Sequence, residues 1–126
     1  MHITNIQPIS ASKSGNTWTL RVTYTATFTN QERNPPLNYT FRDSMRIMES
    51  DGLFGGDDDV ITGWVSASNF NPDQNSVTRT LTAVVNGNDL DTELGGEEIY
   101  ARVQLRNFTT GGVALVRKTS IINLAP

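Results

Sequence analysis

"TWTLRVTYTATFT", residues 17–29, is the stretch that decides the fold class. Its even positions, from Trp18 to Phe28, are all apolar, and its odd positions are all Thr or Arg. Alternation at period two places the two sets on opposite faces of a β-strand, so this strand has one dry and one solvated face. At ~3.3 Å per residue the stretch would extend about 43 Å, beyond the usual strand. We therefore expect it to be bent, bulged or extended past its neighbours.

Six further segments have the apolar content or the alternation of strands. They are residues 3–9, 39–48, 60–67, 77–85, 98–109 and 113–124. Asn-Pro, Asn-Gly and Gly-Gly pairs between segments favour turns, and no segment has an apolar stripe of helical period. Seven antiparallel strands at this spacing predict an all-β, two-layer β-sandwich of immunoglobulin-like or related topology. The chain shows no repeat or linker, so residues 1–126 are predicted to form a single domain.

Composition argues against most enzymes. The chain has no cysteine, which excludes thiolate metal sites, cysteine nucleophiles and disulfides. Its one histidine, His2, is next to the terminus, which argues against a Ser-His-Asp triad and a histidine zinc site. We expect no catalytic residues and a non-enzymatic role.

Charge and hydropathy argue against some classes of partner and against a membrane span. Ten Lys and Arg against thirteen Asp and Glu give a formal net charge of −3, which speaks against nucleic acid. No segment has the ~20 apolar residues that span a bilayer, and no basic region followed by an apolar core marks a signal peptide. These features favour a cytoplasmic location.

The stretch from Glu49 to Asp59 holds five acids and no base. The acids are Glu49, Asp51, Asp57, Asp58 and Asp59. Glycines between them let the backbone curl back, which would bring Asp57 and a neighbour near Glu49 and Asp51. Converging carboxylates suit a hard cation such as Ca²⁺ and repel one another without it. A solvated loop and an acidic tip that recognises a protein partner are the alternatives.

Residues 45–63, "MRIMESDGLFGGDDDVITG", resemble the third calcium-binding loop of C2 domains. In that family an apolar strand leads into Asp-x-Asp, a short tip, an acidic pair, and then an aliphatic residue and glycine. The resemblance implies a C2-like topology and calcium-ligand positions at Glu49, Asp51 and Asp57. It also implies that the Leu53-Phe54 tip touches lipid. The chain departs from the family in having Glu at the first acid, an additional Asp, and Gly63 one residue late.

Several apolar and polar groups could make contacts elsewhere. Leu53 and Phe54 form either an exposed partner contact or a cover over the end of the sandwich. Trp18 and Trp64 suggest a sugar-stacking platform, although Trp18 belongs to the dry face of its strand. Tyr100, Arg102, Gln104 and Arg106 line the polar face of one strand, as a solvated surface or a ligand site. A basic lipid-binding patch is not evident along the chain.

The last predicted strand is apolar on both faces, at residues 113–116 and 121–124. A strand of this kind is usually covered on both sides, and in a two-layer sandwich the second cover would be another subunit. The long, threonine-rich strand has edges that also invite pairing. These features predict self-association.

Three functions follow. The first is a non-enzymatic β-sandwich binding or structural module that binds Ca²⁺ through the Glu49–Asp59 loop. The ion would fix the loop and present Leu53-Phe54 to a protein partner or a membrane. The second is a structural subunit of a homo-oligomer or larger assembly without metal. The third is a carbohydrate-binding module.

Overall fold

The computed structural model describes residues 1–50, 59–90 and 97–124. The predicted acidic and apolar site residues Asp51, Leu53, Phe54, Asp57 and Asp58 lie outside them. The elements are β1 (His2–Thr4), β2 (Ser10–Ser14), β3 (Thr17–Thr27), β4 (Phe41–Glu49), β5 (Asp59–Val60), β6 (Val65–Phe70), β7 (Ser76–Asn86), α1 (Gly87–Leu90), β8 (Glu97–Asn107), β9 (Leu115–Lys118) and β10 (Ile122–Leu124). They confirm an all-β fold of two antiparallel sheets packed as a sandwich. Immunoglobulin-like and C2-like topologies stay predictions.

The first sheet, sheet A, is built around β3. β7 pairs with it along its whole length, from Thr17 opposite Asn86 to Thr27 opposite Ser76. β1 and β2 pair with other parts of β3 and share its remaining edge. β2 and β3 are joined by a two-residue turn in which Gly15 has φ +60°, a conformation that glycine accepts without a Cβ clash.

The second sheet, sheet B, has β4 and β8 at its centre. The two strands pair from Phe41 opposite Asn107 to Glu49 opposite Ile99. β5 and β6 pair with the free edge of β4, and β9 and β10 pair with the free edge of β8. Between Asp43 and Met45 the pairing with β6 shifts register, so Ser66 and Ala67 both stand opposite Ser44. This β-bulge bends β6 locally.

The structure corrects several predicted strands. The first segment is not one strand, because β1 and β2 flank residues 5–9. The long strand needs no overhang or bulge, because β7 pairs with all eleven of its residues. The last segment forms two short strands, β9 and β10, rather than one, and its predicted cover by another subunit stays a prediction. Val113 is 96 % exposed and Ile121 is 54 % exposed.

The alternation in β3 sets the core as predicted. Leu20, Val22, Tyr24 and Ala26 are buried, while the polar residues between them are exposed at Arg21 and half-buried at the two threonines. At one end of the core Phe28 and Phe70 pack around Phe41, with the centroids of Phe28 and Phe41 4.6 Å apart. Such aromatic contacts add to the free energy gained by burying the rings.

A charged cluster crosses this core. Asp43 of β4 is fully buried and accepts a hydrogen bond from the Tyr24 hydroxyl at 2.7 Å. Arg79 donates to both Asp43 oxygens, Nε at 2.9 Å and Nη2 at 3.0 Å, and its guanidinium lies 4.0 Å from the centroid of Phe70. Tyr24 and Arg79 are opposite each other in sheet A, and Asp43 belongs to sheet B, so the cluster joins the two sheets.

The protonation states of this cluster follow from its surroundings. Burial, and then the negative charge of Asp43, raise the pKa of Tyr24 well above its ordinary value, so the phenol stays a donor. The hydrogen bond to Asp43 raises the pKa of Arg79. The carboxylate is therefore held by one neutral and one charged donor.

Arg79→Met is expected to lower the free energy of unfolding by about 3–5 kcal/mol, because it leaves the Asp43 carboxylate buried without its counter-charge. The double variant Asp43→Asn/Arg79→Met should be more stable than Arg79→Met alone, since it removes the stranded charge. Urea unfolding of both variants and the wild type measures the difference. A double variant no more stable than Arg79→Met would contradict this account of the pair.

Candidate functional site

The outward surface of sheet B carries half of the chain's ten basic residues. We call it the basic face, and it consists of Arg42, Arg46, Arg102, Arg106 and Lys118. Arg42 stands directly opposite Arg106, and Arg46 directly opposite Arg102. Lys118 on β9 stands opposite Arg102 on its other side. Two rows of cations therefore cross the sheet, with Ser44 and Gln104 between them.

The opposed arginines are close. Ser50 N–H donates to the Glu98 carbonyl at 2.8 Å, and Phe108 N–H donates to the Thr40 carbonyl at 2.8 Å. Because hydrogen-bonded pairs recur at every second residue of an antiparallel ladder, Arg42/Arg106 and Arg46/Arg102 are pairs of the same kind. Their Cα atoms are about 5.5 Å apart. Like charges opposed in this way destabilise a sheet.

No described carboxylate lies within ion-pair distance of these five cations. Arg46 lies over the ring of Trp64, 4.8 Å from its centroid, and Arg42 donates to Asn69 Oδ1 at 3.3 Å. The Nε atoms of Arg46 and Arg106 are buried without a hydrogen-bond partner. Glu98 is the next acid along β8, four residues from Arg102, or about 13 Å along the strand. The described surroundings thus leave the cations largely uncompensated.

A pocket of about 240 Å³ opens in this face. It is lined by Arg42, Ser44, Trp64, Ala67, Gln104 and Arg106. The bulge in β6 forms one wall, because it places both Ser66 and Ala67 opposite Ser44. Ser66 has φ +59°, a conformation uncommon outside glycine, and its hydroxyl accepts a hydrogen bond from Thr82 N–H at 3.3 Å. Strained backbone and bulges occur more often beside functional sites than elsewhere.

The whole chain was compared with known protein families, curated proteins and solved structures. No protein-family model, no curated protein and no solved structure matches the chain.

Two of the predicted calcium ligands, Glu49 and Asp59, lie at the other end of β4. Glu49 is its last residue, is 7 % exposed, and stands opposite Asp59 of β5. The chain thus returns antiparallel to β4 at Asp59, and the predicted approach of Asp57 to Glu49 and Asp51 stays a prediction. The described residues contain no group of three acids or histidines that could hold a metal ion. Calcium binding, partner contact at Leu53-Phe54 and the C2 resemblance stay predictions.

The other residues named as possible contacts, Trp18, Trp64 and Tyr100, differ in how far they are buried. Trp18 is half-buried and packs against the core, whereas Trp64 is 38 % exposed at the pocket. Tyr100 is buried, so it does not belong to a solvated polar face with Arg102. No described helix is long and apolar enough to cross a membrane.

Sequence reasoning missed the basic face. The chain offered a partial signal, since Arg42, Ser44 and Arg46 alternate as Arg102, Gln104 and Arg106 do. The two sets are far apart in sequence and become one surface only through the β4–β8 register. No basic lipid-binding patch was evident along the chain, and the basic face arises only when residues of two separate strands are brought together.

Arg102→Gln is expected to raise the free energy of unfolding at low ionic strength by about 0.2–1 kcal/mol, because Arg102 lies between two cations. The gain should shrink as salt is added, since salt screens exposed charges. Arg21→Gln removes the same charge from β3, where Arg21 faces Ser10 and Thr82, and should show no such gain. Equal effects of the two substitutions in denaturant unfolding would argue against local repulsion.

Proposed function

We propose that the protein is a non-enzymatic β-sandwich module that binds an anionic ligand through the basic face. One observation carries the proposal: two pairs of arginines are directly opposed, beside a pocket, without a described carboxylate to compensate them. An arrangement that lowers stability in the free protein is typical of a functional site.

The chemistry of arginine supports an anion as the ligand. Its planar guanidinium donates in a fork that matches the oxygens of a carboxylate, sulfate or phosphate, often through two bonds at once. A bound anion would offset the repulsion between Arg42 and Arg106. Free energy lost to repulsion in the free protein thus becomes binding free energy.

The net charge of the whole molecule supports a binding site that is confined to the basic face. The net charge of −3 means that this face is a positive region on an acidic protein. Long-range attraction of any polyanion is therefore weak, and binding would depend on fit to the two rows. This favours a ligand of defined charge spacing over nucleic acid.

Arg106→Gln is expected to weaken binding of dextran sulfate and polyglutamate about tenfold or more, because it removes a charge-assisted hydrogen bond of roughly 1.5–3 kcal/mol. Isothermal titration calorimetry at low salt measures this change. Arg21→Gln, with the same net charge, is the matched control and should bind like the wild type. Equal weakening by both variants, or no binding by the wild type, would reject the proposal.

Calcium binding at the Glu49–Asp59 loop is a second candidate, favoured by the pairing of β4 with β5. That pairing places the backbones of Glu49 and Asp59 opposite each other at the base of the loop. The chain entering and the chain leaving the acidic stretch are therefore adjacent, as a loop that gathers carboxylates requires. A site of this type would bind weakly, with Kd on the order of 10⁻⁴–10⁻³ M.

The melting temperature should rise with Ca²⁺, relative to Mg²⁺ and to EDTA, if this loop binds calcium. At about 5 mM Ca²⁺ and a Kd near 1 mM the stabilisation is about 1 kcal/mol. For a domain of this size that corresponds to a shift of roughly 3–6 °C. Asp51→Asn/Asp57→Asn should abolish the shift. A shift of the same size in the double variant, or with Mg²⁺, would dismiss a calcium-specific site.

A further inference from the structure

We infer that the pocket in the basic face holds one uronic acid residue of an acidic polysaccharide. This inference rests on the proposed function, since it names the class of anion. It goes beyond charge, because the pocket also presents neutral polar and aromatic groups in a defined arrangement.

The lining of the pocket combines three chemistries. Arg42 and Arg106, directly opposed, offer a forked site for a carboxylate. Ser44 and Gln104, the next opposed pair, offer a hydroxyl and an amide that can donate to and accept from sugar hydroxyls. Neither side chain forms a hydrogen bond with another described residue, so both can pair with a ligand.

The third chemistry is an apolar wall. Trp64 and Ala67 line the pocket on the side of β6, and Trp64 is kept in place by Arg46, which lies 4.8 Å from its ring centroid. A pyranose ring has an apolar face of C–H groups and a rim of hydroxyls. An aromatic wall beside hydrogen-bonding groups matches both, and a uronic acid adds the carboxylate for the arginines.

Size restricts the ligand further. The pocket volume of about 240 Å³ is below the ~300–1,000 Å³ of sites that enclose a drug-sized ligand. One sugar ring fits this description better than a nucleotide with its base, ribose and phosphate. An acidic peptide side chain would use the arginines, but it has neither hydroxyls for Ser44 and Gln104 nor a ring for Trp64.

The second row of cations explains why the ligand is a polymer. Arg46, Arg102 and Lys118 lie four residues along the strands from Arg42 and Arg106, or about 13 Å away. A single sugar held in the pocket does not extend over that distance. A chain of uronate residues running along β4 and β8 brings a second carboxylate to this row.

The test compares six probes by calorimetry: oligogalacturonate, a hyaluronan oligosaccharide, polyglutamate of matched charge, a neutral oligogalactoside, single-stranded DNA and polyphosphate. At least one uronate probe should bind about tenfold or more tightly than polyglutamate. Gln104→Leu keeps the charge and the approximate size of the side chain. It should weaken uronate binding about five- to tenfold and leave polyglutamate unchanged.

The outcomes separate this inference from the proposed function. If uronates and polyglutamate bind equally and Arg106→Gln loses binding of both, the uronic acid inference is overturned and the proposed anion binding stands. Tighter binding of single-stranded DNA or polyphosphate would overturn the inference in the same way. No binding of any polyanion, or equal binding of the neutral oligogalactoside, would overturn both. Thermal melts of Gln104→Leu confirm that the variant is folded.

Discussion

The carboxylate of Asp43 is the group on which the rest of the structure depends. It is fully buried between the sheets, where a charge is costly unless it is paired and hydrogen-bonded. Tyr24 and Arg79, opposed in sheet A, supply the donors. These bonds require β4 to lie over β3 and β7 at one register, because a shift of one residue would turn Asp43 to the other face.

The same constraint orients the functional surface. With Asp43 and Met45 facing the core, alternation sends Arg42, Ser44 and Arg46 outward. The bulge in β6 lies beside Asp43, so the feature that forms the pocket wall is adjacent to the buried charge. Core and surface are two faces of one strand, and the interaction that aligns the sheets also positions the basic face.

The core was easier to predict from the sequence than the functional surface, and the reason is physical. The apolar face of β3 is a local pattern, because successive side chains of a strand point to opposite faces. Asp43 was placed correctly on the face of Phe41, Met45 and Ile47 for the same reason, but its partners Tyr24 and Arg79 were not foreseen. The split of the last strand into β9 and β10 was also missed, because its pairing with β8, a non-local contact, decides which residues form strand.

The amino-acid sequence by itself determined the all-β class, the polarity of the two faces of β3 and much of the apolar core, because these depend on side chains two residues apart. Tertiary structure alone decided that Arg42 faces Arg106 and that Arg46 faces Arg102. Those residues are about sixty positions apart, and only hydrogen-bonded register brings them together. A chain that is acidic overall thus acquires a basic face, because charge composition is a sum over residues whereas a surface potential depends on where they lie.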